Sequence, residues 1–422
     1  MDEEKNINEQ EITESEAEKV EETNEVSDNT TAEEVAEEEY INEPANEIKP
    51  KGISLKARLI LICVAVCLVG FWGFNNQFTK GLIYNMQNLA ENAVTIKLEN
   101  GFGLNTGIFD NVIVSSSRNS VKLYNEKGEL IETEFTEEIY GSIPDVVNLA
   151  VKTAKNYMLA YDEDGKIFYK INKKGKEFNT KLDYNIVFAK PFDNGMFAVV
   201  TEDSGSNHQI RVYNKDCKEV YIWHSGVSSV TDVSVNNKGD KMAVASIETL
   251  DGKITTKVSL FNLNETLPYT ENVFTDNMIT SVHHANDNNI VALGDKYLSH
   301  INSHGKITSN YSYNNRRLHT YKHLDNGSVA LAYQQDENNV TQIEIISKKG
   351  AVKGSHKIEA EVISLDNRDG NVLVGTKSEF IILGNRGMRL RKSRTSREIK
   401  KALFIDENKF ALIGNSEIKI CK

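Results

Sequence analysis

Apolar positions are densest in residues 59–78, a run of twenty residues without a charged side chain. A helix of that length measures about 30 Å, the thickness of the hydrocarbon core of a bilayer. A helix buried in a globular core usually keeps one polar face, whereas this run has no polar side chain before Asn75. The pattern therefore predicts a single membrane-spanning helix.

Helical spacing of apolar residues continues over residues 79–92. Leu82, Met86 and Leu89 follow one another at intervals of four and three residues, and polar residues occupy the positions between them. We expect the helix to continue beyond the bilayer as a stalk.

From about residue 93 the pattern becomes that of short strands. Two apolar strands joined by a short polar turn recur eight times, at intervals of about forty residues, which is the length of one blade of a β-propeller. The first strands of the eight pairs read NVIVSSS (111–117), YMLAYDE (157–163), MFAVVTE (196–202), KMAVASI (241–247), NIVALGD (289–295), SVALAYQ (328–334), NVLVGTK (371–377) and KFALIGN (409–415).

Each pair is flanked by further short strands, such as IVFAKPF (186–192) before one pair and VKGSHKI (352–358) after another. The expected fold is therefore an all-β propeller of about eight four-stranded blades over residues 93–422. The last pair has no strand after it, and AVTIKL (93–98) has no partner near it. We expect AVTIKL to complete the last blade and close the ring.

Two alternatives to the eight-bladed ring stay open. Seven blades would result if the glycine-rich GFGLNTG (101–107) fails to form an inner strand, and the strands could instead form a pair of sandwiches. The residues before the tight turns suit positive φ, and we expect that conformation there. They are Asn125, Asn172, Asn214, Asn262, Asn302, Ser347 and Gly384.

The distribution of charge along the chain predicts how the protein is oriented in the membrane. Residues 1–48 contain nineteen acidic residues against Lys5 and Lys19, so their net charge is −17 and the remaining chain carries about +5 of the total of −12. So few apolar residues predict a disordered acidic tail. A basic juxtamembrane segment, residues 49–58, follows and carries Lys49, Lys51, Lys56 and Arg58.

Basic residues that flank a span stay on the cytoplasmic side of a membrane. The expected localisation is therefore the cell membrane, with a cytoplasmic N-terminus, a single pass and an extracytoplasmic C-terminal domain. A cleaved signal peptide is the rival interpretation. Because 58 residues precede the apolar run, we favour an uncleaved signal anchor.

The acidic tail, the single span and repeats such as DEDGKIFYKINKKGK and RVYNKDCKEV together resemble a known family. These are the uncharacterised membrane-anchored proteins of clostridial Firmicutes, Gram-positive bacteria, whose ectodomain is a propeller of the broad WD40 and quinoprotein-like class. The resemblance implies a propeller outside the membrane. It implies no activity and supplies no functional residue.

Catalytic, cofactor and metal motifs give little support for an enzyme. Six histidines crowd into two repeats, but they show neither HxH nor HExxH spacing, so we expect ordinary strand and surface histidines. Quinone cofactors need a docking Trp in each blade, and only Trp223 lies outside the predicted span. We therefore assign no catalytic residue, cofactor or metal. The six histidines are His283, His284, His300, His304, His319 and His323.

The strongest local anomaly is a basic run near the end of the chain. Eight Arg and Lys residues are offset by Glu398 alone across sixteen positions, on a predicted outer strand and the following link. Phosphate groups of an envelope polymer or of lipids would suit them, a solvated strand face is the alternative, and nucleic acid fits less well because aromatics are not interleaved. The run comprises Arg386, Arg389, Arg391, Lys392, Arg394, Arg397, Lys400 and Lys401.

Two functions follow as hypotheses. The first is a non-catalytic binding or scaffold module for a protein or an anionic envelope polymer. The second is an extracytoplasmic hydrolase or oxidoreductase with its site in the central channel. Polar side chains that converge on the channel would favour the enzyme, and an apolar plug would favour the module.

Overall fold

The computed structural model describes residues 93–99, 102–103, 105–118, 120–131, 146–285, 288–335, 339–395 and 397–422. Within these ranges no helix has the length and apolar character needed to cross a membrane. The predicted tail (1–48), basic segment (49–58), span (59–78) and stalk (79–92) lie outside the described residues.

Within the described ranges, short alternating and fully apolar segments form thirty-one β-strands, which build eight antiparallel sheets, the blades of a propeller. Blade 1 contains β2 (Asn105–Phe109), β3 (Val112–Ser116) and β4 (Val121–Tyr124); blade 2 contains β5 (Leu149–Thr153), β6 (Met158–Asp162), β7 (Ile167–Asn172) and β8 (Gly175–Lys181); blade 3 contains β9 (Ile186–Pro191), β10 (Phe197–Glu202), β11 (His208–Tyr213) and β12 (Glu219–His224); blade 4 contains β13 (Ser229–Val235), β14 (Lys241–Leu250), β15 (Lys253–Asn262) and β16 (Thr270–Phe274).

The second half of the ring repeats this arrangement. Blade 5 contains β17 (Ile279–His284), β18 (Ile290–Gly294), β19 (Tyr297–Ile301) and β20 (Ile307–Ser312); blade 6 contains β21 (Arg317–His323), β22 (Val329–Gln335), β23 (Val340–Ile346) and β24 (Val352–Ile358); blade 7 contains β25 (Val362–Arg368), β26 (Asn371–Thr376), β27 (Glu379–Leu383) and β28 (Arg389–Arg394); blade 8 contains β29 (Lys401–Phe404), β30 (Phe410–Ile413), β31 (Glu417–Cys421) and β1 (Val94–Lys97).

The glycine-rich segment does form an inner strand, so the eight-bladed prediction is confirmed and the alternatives of seven blades and of sandwiches are wrong. Asn105–Phe109 pairs along its whole length with Val112–Ser116. Blade 1 has three strands among the described residues, and an isolated bridge between Tyr124 and Leu130 extends it outward. The remainder of its predicted outer strand lies outside the described residues.

The ring closes as the sequence predicts, because β1 supplies the outer strand of blade 8. Val94 pairs with Ile420 and Lys97 with Glu417 in antiparallel register. Ile96 is 5% exposed and packs in one cluster with Ile418, a burial that stabilises the closure by about 2 kcal/mol. The two ends of the propeller chain therefore share one sheet, and neither leaves an open edge there.

Apolar packing between neighbouring blades explains the near-continuous hydrophobic middle strands. All five residues of β3, β6 and β18 are buried, because each blade presents both faces to its neighbours. The innermost strands contact one another around the axis, for example β13 with β17 and β25 with β29, and β29 with β2 across the closure. These strands form the wall of the central channel.

The expectation of positive φ before the tight turns is wrong, and in six of the seven turns the positive φ lies three residues later. None of the seven corner residues has positive φ. The side chain of Asn125 instead caps its turn, because its Oδ1 accepts hydrogen bonds from the backbone N of Lys127 (2.9 Å) and of Glu129 (3.0 Å). The residues with positive φ are Gly128 (78°), Gly175 (117°), Cys217 (61°), Gly305 (84°), Gly350 (84°) and Gly387 (74°).

Candidate functional site

Two groups of charged side chains stand out in the propeller. One lies on the innermost strands, at the channel, and the other lies on the outermost strands of blades 6 and 7. The first group was not predicted from the sequence, and the second contains part of the predicted basic run.

Asp232 joins three successive blades at the channel. Its carboxylate pairs with the Nζ of Lys190 from blade 3 at 2.6 Å. It also accepts hydrogen bonds from Ser281 Oγ and the backbone N of Val282 in blade 5, and from its neighbour Val233 N, each at 2.9 Å. With four donors around it, this carboxylate is held in place and has little capacity for proton transfer.

Asp366 repeats the arrangement three blades further on. Its carboxylate pairs with the Nζ of Lys322 from blade 6 at 2.7 Å and accepts a hydrogen bond from the backbone N of Phe404 in blade 8 at 2.8 Å. Ser364 Oγ accepts a second bond, from Ala402 N at 3.0 Å. These contacts stabilise the packing of blades 6, 7 and 8 at the channel.

Two histidines stack face to face between these clusters. The rings of His283 and His323 are 4.3 Å apart with an interplanar angle of 19°. Burial and the nearby ammonium group of Lys190 lower the pKa of His283 to about 4. Burial, the stacked ring of His283 and the ammonium groups of Lys190 and Lys322 lower the pKa of His323 as well. Both rings are therefore neutral at neutral pH.

The other clustered histidines are placed as strand and surface residues. His284 and His300 are buried, whereas His304 and His319 are exposed. Among the residues that the structure describes, no group of three or more His, Cys, Asp or Glu side chains is placed to hold a metal ion.

The channel is lined by polar side chains, which by itself is the arrangement expected of an enzyme. Among the described residues of the innermost strands, the two carboxylates are those of Asp232 and Asp366, and each is engaged by a lysine and by backbone N–H groups. A general base or nucleophile needs an oxygen that is free to meet a substrate. The channel contacts are therefore those of a structural brace between blades.

A weak signal for these residues exists in the sequence. Each is a single charge in an otherwise apolar or small-residue inner strand, as in IVFAKP for Lys190, SVTDVSV for Asp232 and VISLDNR for Asp366. Burying a lone charge is costly unless it is paired, so such positions predict ion pairs across blades. The partner of each charge is about forty residues away and is not visible in the strand itself.

The predicted basic run divides into three parts. Arg386, Arg389, Lys392 and Arg394 are exposed on β28 and the turn before it. Among the ion pairs of the described residues, Lys392 has an acidic partner, Glu379, at 2.9 Å. This part matches the expected position on the rim.

Arg391 does not belong to the rim, although it lies on the same strand. It is 1% exposed, its Nη2 donates a hydrogen bond to the backbone O of Lys422 at 2.8 Å, and its guanidinium lies over the rings of Phe380 and Phe410. The pairing of β27 with β28 shifts register between Ile382 and Leu383, because Ile382 pairs with Arg391 and Leu383 pairs with Arg389. At this bulge, the Arg391 side chain faces blade 8. Its inclusion in an exposed basic surface is therefore wrong.

The last three residues of the run lie beyond β28. Arg397 is exposed and pairs with Glu417 of blade 8, and Lys400 is exposed in the link. Lys401 begins the innermost strand of blade 8, and its Nζ donates a hydrogen bond to the backbone O of Thr106 at 2.8 Å. Lys401 therefore belongs to the channel.

The outer strand of blade 6 adds positive charge to the exposed part. Gly354 of β24 lies so close to blade 7 that a Cβ on it would be 1.7 Å from the backbone O of Arg386. Burial and the positive charges of Arg389 and Lys392 lower the pKa of His356 on β24. The outer strands of blades 6 and 7 therefore contribute to the same positive electrostatic potential. We call the surface formed by their exposed cations the basic rim: Lys353, Lys357, Arg386, Arg389, Lys392 and Arg394.

These features define a closed eight-bladed β-propeller. Ion pairs between blades line its polar channel, and the basic rim lies on the outer edge of blades 6 and 7. The profile of a family of unknown function, DUF5711, matches residues 88–422, and the chain belongs to this family. The expected membership in a propeller family of unknown function is confirmed. The clostridial origin and the single-pass anchor stay predictions.

Other comparisons add little to this assignment. No curated protein sequence matches the chain. Among solved structures, the crystal structure of BamB from Moraxella catarrhalis is similar over 78% of this chain and 98% of that chain, with 10% sequence identity and a TM-score of 0.48. A likeness at this level carries no argument about function.

Proposed function

We propose that this protein is a non-catalytic binding module whose basic rim binds a phosphate-bearing polymer of the cell envelope. The basic rim is the observation that supports this proposal most directly. Its six cations lie on the outer strands of the neighbouring blades 6 and 7 and on the turn before β28, and five of them have no ion pair among the described residues. Unpaired exposed cations on neighbouring strands form a surface that attracts polyanions.

The chemistry of the rim suits repeated phosphate groups. Arg presents a planar fork of donors that matches phosphate oxygens, and Lys adds a point charge. Lys392 and Arg394 are two residues apart on β28, which places their backbones about 7 Å apart on one side of the strand. A polymer that runs along the strand can therefore meet several cations in succession.

The proposed location outside the cell depends on the N-terminal residues. The apolar run 59–78 follows Lys49, Lys51, Lys56 and Arg58, and the positive-inside rule then directs the propeller outward. In this arrangement the propeller is tethered to the membrane, within reach of envelope polymers. The acidic tail, residues 1–48, would face cytoplasmic partners.

The alternative of an enzyme in the channel has less support. Asp232 and Asp366 are both engaged between blades, so neither is free to act as a base or a nucleophile. A protein is the other partner class that the sequence allows. If such a protein used the basic rim, it would compete with the polymer for binding.

Charge reversal on the rim tests the proposal. Full-length protein in detergent is titrated with purified phosphate-bearing wall polymer, for the wild type and for Arg389→Glu combined with Arg394→Glu. We expect affinity to fall by about tenfold or more, because two favourable contacts become repulsive. The matched control is Lys181→Glu combined with Lys218→Glu, two exposed lysines on blades 2 and 3, and it should bind like the wild type. Equal affinity of the rim variant and the wild type would overturn the proposal.

Protease treatment tests the orientation separately. Protease added to intact cells should digest residues 93–422 and leave the N-terminal tail intact. If the propeller becomes accessible only after lysis, the proposed orientation is wrong, whatever the rim binds in a purified system.

A further inference from the structure

A groove separates the turns of blade 3 from those of blade 4 at one end of the strands. Its walls are the turns that join β9 to β10 and β11 to β12 in blade 3, and β13 to β14 and β15 to β16 in blade 4. The groove has a volume of about 780 Å³, which is within the range of small-ligand sites in proteins. It shares no residue with the basic rim or with the ion pairs of the channel.

The lining of the groove is polar and close to neutral. Ten of its fourteen residues have polar side chains, and five of these are asparagines. Two lysines and three acidic residues are among the ten, so their charges nearly cancel. Apolar ligands bind in pockets with mostly apolar walls, and polyanions bind to an excess of cations. This groove instead suits a neutral ligand with many hydrogen-bonding groups.

Hydrogen bonds between the turns fix the shape of the groove. Asn194 Nδ2 of blade 3 donates to the backbone O of Asn236 in blade 4 at 3.0 Å. Within blade 4, Leu263 N donates to the backbone O of Asp240 at 2.8 Å and joins the two turns of that blade. The groove is therefore preformed, which lowers the entropy cost of binding a ligand.

Asn214 supplies a hydrogen-bond donor on the blade 3 wall. Its Oδ1 accepts the backbone N–H groups of Asp216 and Lys218, each at 3.0 Å. Because the turn engages the side-chain oxygen, the amino group is the part of the amide that is left for the groove. This amino group has no protein acceptor among the described residues.

Asn262 supplies a hydrogen-bond acceptor on the blade 4 wall. Its Nδ2 donates to Glu265 Oε1 at 3.2 Å, and its Oδ1 is left without a donor in the part of the chain that the structure describes. The side chains of Asn237 and Asn264 are exposed at the same groove, and each of these amides can both donate and accept. The two walls therefore offer donors and acceptors to one ligand.

We infer that this groove binds a neutral sugar chain whose rings carry acetamido groups. The carbonyl of an acetamido group can accept from Asn214, and its N–H can donate to Asn262. Its methyl group can pack on the apolar side chains of Met196 and Leu263, which also line the groove. The sugar hydroxyls, which both donate and accept, would pair with the remaining amides.

An extended peptide has the same amide chemistry as an acetamido group. Peptide-binding grooves, however, offer the free edge of a strand and separate pockets for alternate side chains. Turns form the walls of this groove, and its apolar residues are few. The observations therefore favour the sugar chain, and a peptide is the outcome that a second probe must exclude.

Titration calorimetry tests the inference on the full-length protein, in a detergent without sugar headgroups. The probes are chitotetraose, a neutral tetramer of N-acetylglucosamine, and cellotetraose, the glucose tetramer with the same linkage. Trialanine with acetylated and amidated ends is the peptide probe. We expect one saturable site per chain for chitotetraose and binding about tenfold weaker for cellotetraose, because cellotetraose leaves the acetamido partners unpaired. The peptide should bind more weakly than chitotetraose.

An isosteric variant tests the role of Asn214. Asn214→Asp removes the amino donor, while the carboxylate still accepts the N–H groups of the turn, and it should weaken chitotetraose binding by about tenfold. Asn302→Asp is the matched control, because Asn302 Oδ1 caps the corresponding turn of blade 5 by accepting from His304 N (3.0 Å) and Lys306 N (2.9 Å). Asn302 lies outside the groove, so this control should bind like the wild type.

A double variant at exposed positions guards against a folding effect. Asn237→Ala combined with Asn264→Ala removes two amides of the groove that make no hydrogen bond among the described residues, and it should also weaken binding. A lack of saturable chitotetraose binding to the wild type would overturn the inference. Equal or tighter binding of the peptide would overturn it in favour of a peptide ligand. Wild-type affinity in both Asn214→Asp and the double variant would overturn it as well.

The rim variant separates this inference from the proposed function. Arg389→Glu combined with Arg394→Glu should bind chitotetraose like the wild type, because the groove lies on blades 3 and 4 and the rim on blades 6 and 7. Weakened chitotetraose binding in the rim variant would contradict a separate site. Failure of polymer binding at the rim would leave the result for the groove unchanged.

Discussion

The innermost and outermost strands of this propeller carry the same kinds of charge and use them differently. On the inner strands, Lys190 and Lys322 each meet an aspartate of the next blade, and the aspartates also accept backbone N–H groups. On the outer strand β28, Arg389 and Arg394 are exposed. Inner charges are thus part of the packing between blades, whereas outer charges remain available to a partner.

The same contrast occurs within a single strand. Arg389 and Arg391 both lie on β28, yet Arg391 is buried against two aromatic rings and holds the backbone of Lys422. Charge alone therefore does not assign a residue to a binding surface. Its position relative to the neighbouring blade decides whether it stabilises the ring or faces solvent.

The largest effect is expected from removing an inner carboxylate. Asp232→Ala leaves Lys190 unpaired and the backbone N of Val282 without its acceptor. Breaking such a buried pair on one side costs about 4 kcal/mol in the free energy of unfolding. Guanidinium denaturation of the full-length protein measures it. Asp216→Ala, at an exposed turn, should change the free energy by less than about 0.5 kcal/mol. Equal effects of the two variants would contradict the role of Asp232 in holding blades 3, 4 and 5 together.

A smaller effect should separate the two arginines of β28. Arg391→Ala removes the hydrogen bond to Lys422 and the packing on Phe380 and Phe410, so we expect a loss of about 3 kcal/mol. Arg389→Ala, on the exposed side, should cost less than about 0.5 kcal/mol. The same denaturation measurement applies to both. Similar losses for the two variants would contradict the assignment of Arg391 to the core.

A third effect concerns the pH dependence of stability. Burial and the charges of His283, Lys190 and Lys241 lower the pKa of His284 to about 3. The unfolded chain takes up a proton at His284 below about pH 6.5, and the folded chain does so only near pH 3. The contribution of His284 is therefore complete above pH 6.5 and declines as the pH falls, by about 2 kcal/mol at pH 5.

Unfolding free energies at pH 7.5 and pH 5 check this linkage. His284→Asn should lose less stability between the two pH values than the wild type, by about 2 kcal/mol, because Asn binds no proton in either state. An unchanged difference between the two pH values would show that His284 titrates normally in the folded protein.

The architecture was predictable because it is repeated. Eight strand pairs at regular intervals indicate a propeller, and the unpaired AVTIKL segment indicates how β1 completes blade 8. The backbone conformation of each turn was harder to predict from the sequence. An Asn-x-x-Gly turn contains two special residues, and the sequence does not show that the Asn side chain caps the turn while the Gly adopts positive φ.

The charged groups were predictable only in part. The exposed rim residues lie where a basic outer strand should place them, but the register shift in blade 7 that buries Arg391 has no sequence signature. Lys190 and Asp232 are 42 residues apart, so their pairing depends on how successive blades pack. Single-strand patterns carry no information about such contacts between blades.

The salt dependence of polymer binding tests the proposed use of the outer charges most directly. The association constant of the full-length protein for a phosphate-bearing wall polymer is measured at several salt concentrations, for the wild type and for Arg389→Glu with Arg394→Glu. Binding through rim cations predicts that the logarithm of the constant falls linearly with the logarithm of salt, and that the variant reduces the slope by about 1 to 2 units. A constant that does not depend on salt, or a slope that is the same in both proteins, would contradict the account.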